Sequence, residues 1–240
     1  MDTREIREAL IKRSASAPVV ITLDGAAGTG KTSLARSLAS ELEVKYLDTG
    51  AMYRSIALYL GDGAWRQSVE WLESQLTGLS FSLSGSGENT LLSLNGAPVD
   101  EAIRREEVGM WASEVARLSV VRKHLTRCQQ ELGNSFSLVA EGRDMGSVVF
   151  PDARFKYFLE ADTEERARRR LAQLREEYGQ EGDLEAIKRD LRKRDGQDSQ
   201  RSVAPLCAAE DAVRIDTTDR DFQQVLGLIL EDMQSRLTLS

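Results

Sequence analysis

Apolar positions along the 240 residues follow two rhythms, one of period about 3.6 and one of short unbroken runs, and their alternation outlines the fold. Residues 4–13, REIREALIKR, carry Ile6, Ala9 and Leu10 at helical spacing and run into the loose stretch SASAP, so residues 1–17 are expected to form a short helical arm. From Pro18 the chain reads VVITLDG, an apolar run ended by glycine, as in a strand covered on both faces. Helix-like TSLARSLASELE (32–43), a strand in KYLDTG (45–50) and helix-like AMYRSIALYL then predict β-α-β-α, the sign of a parallel sheet covered by helices.

The rhythm then breaks. Residues 65–79 fit an amphipathic helix, and LSFSLSGSGENTLLSLNGAPV alternates around glycine-rich turns, which predicts a small antiparallel insert. Helix formers dominate residues 100–132, after which SLVAEGRD and RFKYFLEA supply two more buried strands. Charged helices are expected at 163–178 and 184–195, then strand AVRIDTT and a closing helix from about 221. The sum is an α/β, doubly wound, five-stranded parallel sheet with an antiparallel insertion and a charged helical excursion, both expected to be mobile.

Composition narrows the function. Hydrophobic residues at 41% and charged residues at 30% describe a globular chain with a real core, and the net charge of −7 disfavours whole-surface attraction to nucleic acid while leaving room for a local basic cleft. No apolar run approaches the roughly 18 residues of a membrane helix, and Met1–Glu5 opens nothing like a secretory signal. A cytoplasmic chain with no membrane or nucleic-acid partner is therefore expected. Cys128 and Cys207 lie far apart outside any CxxC or Cys/His cluster and read as plain thiols.

The sharpest chemical signal is Gly25, Ala26, Ala27, Gly28, Thr29, Gly30, Lys31 and Thr32, which fit GxxxxGK(S/T) between a strand and a helix, with Ser33 following. Glycines let backbone N–H groups converge on phosphate oxygens, the helix N-terminus adds positive potential, Lys31 reaches the β and γ phosphates, and the Thr32 hydroxyl suits Mg²⁺. A nucleotide site also needs a carboxylate near the metal. Glu141 ends the apolar run LVAE and Asp24 precedes the loop, the latter within reach through water; either could instead cap a backbone turn. Arg54, and Arg143 with Asp144, follow strands, where parallel sheets bind ligands, and a guanidinium fork suits a phosphate dianion. Arg166, Arg169 and Arg170 share a helix face by i, i+3, i+4 spacing, and RDGQDSQR continues the charged region with Arg194, Asp198 and Arg201. Such a cluster is either a solvated, salt-bridged surface or a lid whose arginines meet charge on a transferring phosphoryl group. His124, the single histidine, sits in a helical context that favours packing over catalysis, and Trp65, Trp71 and Trp111 are expected to pack insert helices on the core.

Together these motifs resemble the bacterial cytidylate kinases, nucleoside-monophosphate kinases of the P-loop kinase fold. The resemblance runs from about Pro18 to the last helix through the phosphate loop, LDTGAMYR (47–54), NGAPVDEAIRREEVG (95–109), ASEVARLSVVR (112–122), GRDMGSVVFPDA (142–153), EERARRR (164–170) and RSVAPL (201–206). It implies a kinase domain at 18–240 with a monophosphate-binding insert at about 62–132 and a lid at about 170–200, acting as a monomer. The activity implied is transfer of the γ-phosphoryl of ATP, with Mg²⁺, to CMP or dCMP. Carried over by motif, Ser113, Arg122 and Asp144 read cytosine, Arg54, Arg143 and Arg201 clamp the acceptor phosphate, Thr49 lies near CMP, and Asp198 binds ribose. Arg169, Arg170 and Arg194 serve ATP and the transition state, making Lys31, Arg143, Arg169, Arg194 and Arg201 the catalytic set.

This chain departs from the family pattern in three places. Its loop reads GAAGTGKT where GPSGAGKG is more usual, Glu141 stands where Asp is usual before GRD, and the arm has no counterpart. A kinase for UMP, AMP or another phosphate acceptor is the near rival. A hydrolytic nucleotide switch or motor is the distant one, disfavoured by the lack of an NKxD motif and by the acidic charge.

Overall fold

The computed structural model describes residues 3–14, 17–179, 181–199 and 204–238. In chain order the elements are α1 Thr3–Ser14, β1 Val20–Gly25, α2 Lys31–Leu42, β2 Lys45–Asp48, α3 Thr49–Leu60, α4 Val69–Leu76, β3 Phe81–Ser84, β4 Leu91–Leu94 and β5 Ala97–Pro98. There follow α5 Glu106–Val115, α6 Ser119–Ser135, β6 Leu138–Gly142, β7 Phe155–Glu160, α7 Thr163–Tyr178, α8 Leu184–Ser199, β8 Val213–Asp216 and α9 Phe222–Thr238.

Five strands form one sheet in the order β2-β6-β1-β7-β8, with every pairing parallel. Because successive side chains leave a strand on opposite faces, the inner strands β1 and β6 feed two cores. Val139 of β6 and Ile21 and Leu23 of β1 join a core with α1, α2 and α9, whereas Leu138 and Ala140 join one built from α3, α5, α6 and the insert. This explains why the strands read as unbroken apolar runs, as parallel strands do when helices cover both faces. β8 departs from that expectation: it is an edge strand with Ile215 buried and Arg214 paired to Glu160 in solvent.

The insert is a three-stranded antiparallel sheet, β3-β4-β5, in which Phe81 and Leu83 turn inward and Ser82 and Ser84 outward, the alternation expected of a one-sided sheet. Boundaries shift where side chains cap helices. The expected strand 45–50 stops at Asp48 because its carboxylate accepts the Ala51 N–H at 2.9 Å and starts α3. Likewise the Ser68 hydroxyl accepts from the Trp71 N–H and starts α4, so the helix expected over 65–79 is shorter. The helical stretch 100–132 divides into α5 and α6, and α8 extends through Ser199. Trp65 and Trp111 pack on the insert-side core, while Trp71 is half-buried. The arm docks: Ile6 and Leu10 are buried in the α2–α9 core, and Arg7 donates to the Glu43 carboxylate and the Glu41 carbonyl just beyond and within the last turn of α2. Among the described residues no helix is long and apolar enough to cross a membrane.

Candidate active site

The phosphate loop joins the end of β1 to the first turn of α2, beside the carboxyl ends of β6 and β7. Gly25 must be glycine, since a Cβ there would lie 2.3 Å from the Leu159 carbonyl oxygen and its φ is +147°. Gly30 caps α2 with φ 90°, in the left-handed region, and a Cβ on it would meet open space. Lys31 is buried and folds back so that Nζ donates to the Ala26 carbonyl at 2.6 Å. Burial, reinforced by the Arg143 and Arg194 guanidiniums, pushes the Lys31 ammonium well below the usual lysine range, against the opposing pull of Glu141 and Asp24. A polyanion seated here would relieve that positive crowding.

Two carboxylates flank the loop. Glu141, at the end of β6, accepts from the Thr32 hydroxyl at 2.9 Å through one oxygen and from the Tyr46 hydroxyl through the other. Its backbone carbonyl accepts from the Thr49 hydroxyl at 2.7 Å. Burial raises the Glu141 pKa, as does Asp48, while Lys31 and the hydrogen bonds from Tyr46 and Thr32 oppose the rise. Asp24 follows the turn-capping alternative: its two oxygens accept the N–H groups of Met145 and Gly146, each at 2.8 Å. Burial pushes its pKa up to about 6 against those two bonds. The Thr32 hydroxyl and Glu141 carboxylate are the hard oxygen donors Mg²⁺ takes. Among the described residues no three His, Cys, Asp or Glu side chains cluster to hold a metal alone.

Beyond the end of β6, Arg122 of α6 and Asp144 form an ion pair, each side chain about 5% exposed. Arg122 also donates to the Ala116 carbonyl at 3.2 Å, and its guanidinium lies 5.6 Å from the centre of the Tyr53 ring. Arg54 of α3 donates to the Ile103 carbonyl at 2.9 Å and lies against Gly109, where a Cβ would be 3.0 Å from its Nη2. Ser113 of α5 donates to the Gly109 carbonyl at 3.2 Å, so Arg54 and Ser113 converge on one turn of that helix. Arg143 donates to buried Asp198 of α8 at 2.9 Å, bringing the strand end and the charged helices together.

The arginines that share a face of α7 by spacing reach three different places. Buried Arg166 donates to the Ala27 carbonyl of the phosphate loop at 3.2 Å and grips Asp195 of α8 with both terminal nitrogens, at 3.0 and 2.6 Å. Arg169 holds the Thr217 hydroxyl and carbonyl after β8 and the Glu165 carboxylate. Arg170 is exposed and donates to Gln173, outside this assembly. Arg194 bears on Lys31 through its charge, and Arg201 lies outside the described residues. Sequence reasoning missed Tyr46, Tyr53, Asp195 and Thr217. Strand parity could have found Tyr46: it pairs with Val139, two residues before Glu141, so both side chains leave the same face.

Comparison with known proteins gives the family. The family model described as cytidylate kinase matches residues 21–235. A cytidylate kinase of Oleidesulfovibrio alaskensis is 53% identical over 216 residues, covering 90% of this chain and 98% of that one. One from Maridesulfovibrio salexigens is 47% identical over 220 residues, covering 92% and 98%, and one from Thermosipho melanesiensis is 43% identical over 222 residues, covering 92% and 100%. The solved structure of an uncharacterized protein from Eubacterium ventriosum, at 12% identity and a TM-score of 0.44 over 90% of this chain and 98% of that one, carries no argument.

Proposed function

The chain belongs to the cytidylate kinase family and is an ATP-dependent nucleoside-monophosphate kinase, and from that premise we propose how its residues divide the work. It moves the γ-phosphoryl group of ATP to CMP or dCMP, giving CDP or dCDP and ADP. An oxygen of the acceptor phosphate attacks the γ-phosphorus while the bond to the β-phosphate oxygen breaks in line. That oxygen is already ionised at neutral pH, so the site needs positioning and charge neutralisation rather than a base.

Residues 25–33 cradle the ATP phosphates, with Lys31 meeting the charge that develops between the β and γ groups. Thr32 and Glu141 would hold Mg²⁺, which would supply charge neutralisation on the phosphate oxygens. Arg122, Asp144 and Ser113 read the cytosine edge. Arg54 and Arg143, with Arg201, clamp the acceptor phosphate, Asp198 takes the ribose hydroxyls, and Thr49 lines that side. Arg194, with Arg169 and Arg170, serves the donor side from a lid at about 170–200, opposite an insert at about 62–132. A lid that excludes water keeps ATP from being spent on hydrolysis. The protein works as a cytoplasmic monomer on these small substrates, without nucleic-acid or membrane partners.

The observation that most supports this division is the carboxyl end of β6: Glu141 reaches back to Thr32 of the phosphate loop, while Arg143 and Asp144 turn to α8 and α6. One strand end thus serves donor and acceptor. The test is ADP formation from Mg-ATP with CMP, dCMP, UMP, AMP, GMP or no acceptor, each beside Lys31→Ala. Turnover confined to CMP and dCMP, and lost by at least two orders of magnitude in the variant, is expected. Equal ADP formation without an acceptor would replace the reading with a hydrolase.

A further inference from the structure

Asp24 occupies a junction that the division of labour above leaves unused. It is the last side chain of β1 before the phosphate loop, and only 4% of it is exposed. The β1–β6 ladder ends where Asp24 faces Gly142, so the chain beyond that point has no strand to bond to. Arg143 and Asp144 follow, and then a tight turn, Met145–Val149, closed locally by the N–H groups of Val148 and Val149 on the Asp144 carbonyl. At the start of this turn two consecutive N–H groups, of Met145 and Gly146, point back at β1, and the Asp24 carboxylate takes one on each oxygen at 2.8 Å. The turn lies flush on β1: a Cβ on Gly146 would come 2.9 Å from the Thr22 hydroxyl oxygen.

We propose that Asp24 is a positioning residue that couples the donor and acceptor halves of the site, fixing the Arg143–Asp144 segment against the strand that launches Lys31. A carboxylate is suited to this because it offers acceptors on both oxygens, and charge-assisted bonds to N–H groups are about twice as strong as neutral ones. The Arg143 fork and the Asp144 end of the Arg122 pair then inherit their register from the phosphate-loop strand. This rests on the reading of Arg143 and Asp144 as acceptor-side groups.

Asp24→Asn keeps the volume but leaves one oxygen to accept, and turns an NH₂ toward the second backbone N–H. The experiment measures CMP and ATP affinities of wild type and D24N separately by calorimetry without Mg²⁺, and then titrates Mg²⁺ in the full reaction. The expected result is CMP binding weakened ten-fold or more, ATP binding changed less than two-fold, and an unchanged Mg²⁺ half-saturation. Unaltered CMP binding overturns the coupling, and so does equal weakening of both nucleotides. A defect confined to Mg²⁺ activation overturns it in favour of a water-bridged metal role. Wild-type protein that fails to bind CMP would sink the site reading as well, which separates the two failures. Should D24N not fold, amide exchange in the wild type decides: Met145 and Gly146 are expected to exchange slowly, and exchange at the solvent rate for both overturns the proposal.

Discussion

Arg122 illustrates how a side chain with a proposed binding role can carry a stability role at the same time. It and Asp144 are both buried, so removing the cation leaves an uncompensated carboxylate in a low-dielectric site. Breaking such a pair costs about 3–5 kcal/mol, more than its formation contributes. Arg122→Ala is therefore expected to lower the urea-unfolding free energy by that amount and to abolish CMP discrimination, with Arg122→Lys recovering stability better than specificity because lysine lacks the planar fork. A chemical-denaturation series paired with the acceptor panel checks both. His124 tests a pH effect of defined sign. It is half-buried, its ring 3.6 Å from the Cys128 sulfur, and burial, helped by Arg127 and opposed by Glu131, lowers its pKa. Below the ordinary histidine value of about 6.5 the unfolded chain then binds the proton more readily than the folded one, so this residue's contribution is complete above that pH and lost as pH falls through the window beneath it. Urea unfolding at pH 7.5 and 5 should show wild type losing more stability than His124→Gln, and equal losses would refute the assignment. At this scale the sequence told residue types more readily than partners. The motif named Lys31 and Thr32, but whether Asp24 meets a metal or caps a turn depends on where the chain after β6 runs, which no local pattern encodes.

Elements were legible where burial is two-sided and blurred where capping decides. β1 and β6 stood out because parallel strands covered by helices on both faces are apolar almost throughout. The end of β2 did not, because Asp48 serves equally as strand residue and helix cap until the Ala51 N–H is seen to bond it. The charged helix shows the same limit in reverse. Spacing placed Arg166, Arg169 and Arg170 on one face, yet tertiary partners send them to the phosphate loop and α8, to Thr217, and to Gln173. Arg166 thereby acts as the tie among α7, α8 and the loop backbone, and Arg169 as an anchor to the β8 end. Arg166→Ala would strand Asp195 and the Ala27 carbonyl, each a loss of roughly 1–3 kcal/mol. The ATP KM is expected to rise ten-fold or more with the CMP KM changed far less, and amides of α7 and α8 to exchange faster. Kinetics and hydrogen exchange on this one variant would show whether the charged helices are held to the donor side alone.

The whole molecule separates the proposed chemistry from support along the sheet: the residues assigned above to ATP and CMP gather at the carboxyl ends of β1, β2 and β6, and the arm lies at the far end of α2. The family match begins at residue 21, so α1 stands outside it, yet Ile6 and Leu10 are about as buried as any core residue. Fully burying side chains of this size contributes about 1.5–3 kcal/mol each, reduced by the entropy of ordering the arm. Glu41 and Glu43 lie ten and twelve residues after Lys31, so at about 1.5 Å per residue the Arg7 contacts sit about 15–18 Å from it along α2. A chain lacking residues 1–16 should therefore keep kcat and both KM values within about two-fold while its thermal midpoint drops by several degrees, since a domain this size shifts about 2–4 °C per kcal/mol. Ile6→Ala with Leu10→Ala should reproduce the drop in the full-length chain, because the cost lies in burial at those two positions. If truncation instead cut turnover at temperatures where the fold is intact, the arm would be acting on the phosphate loop through α2, and the division of the molecule into a reacting end and a supporting end would fail.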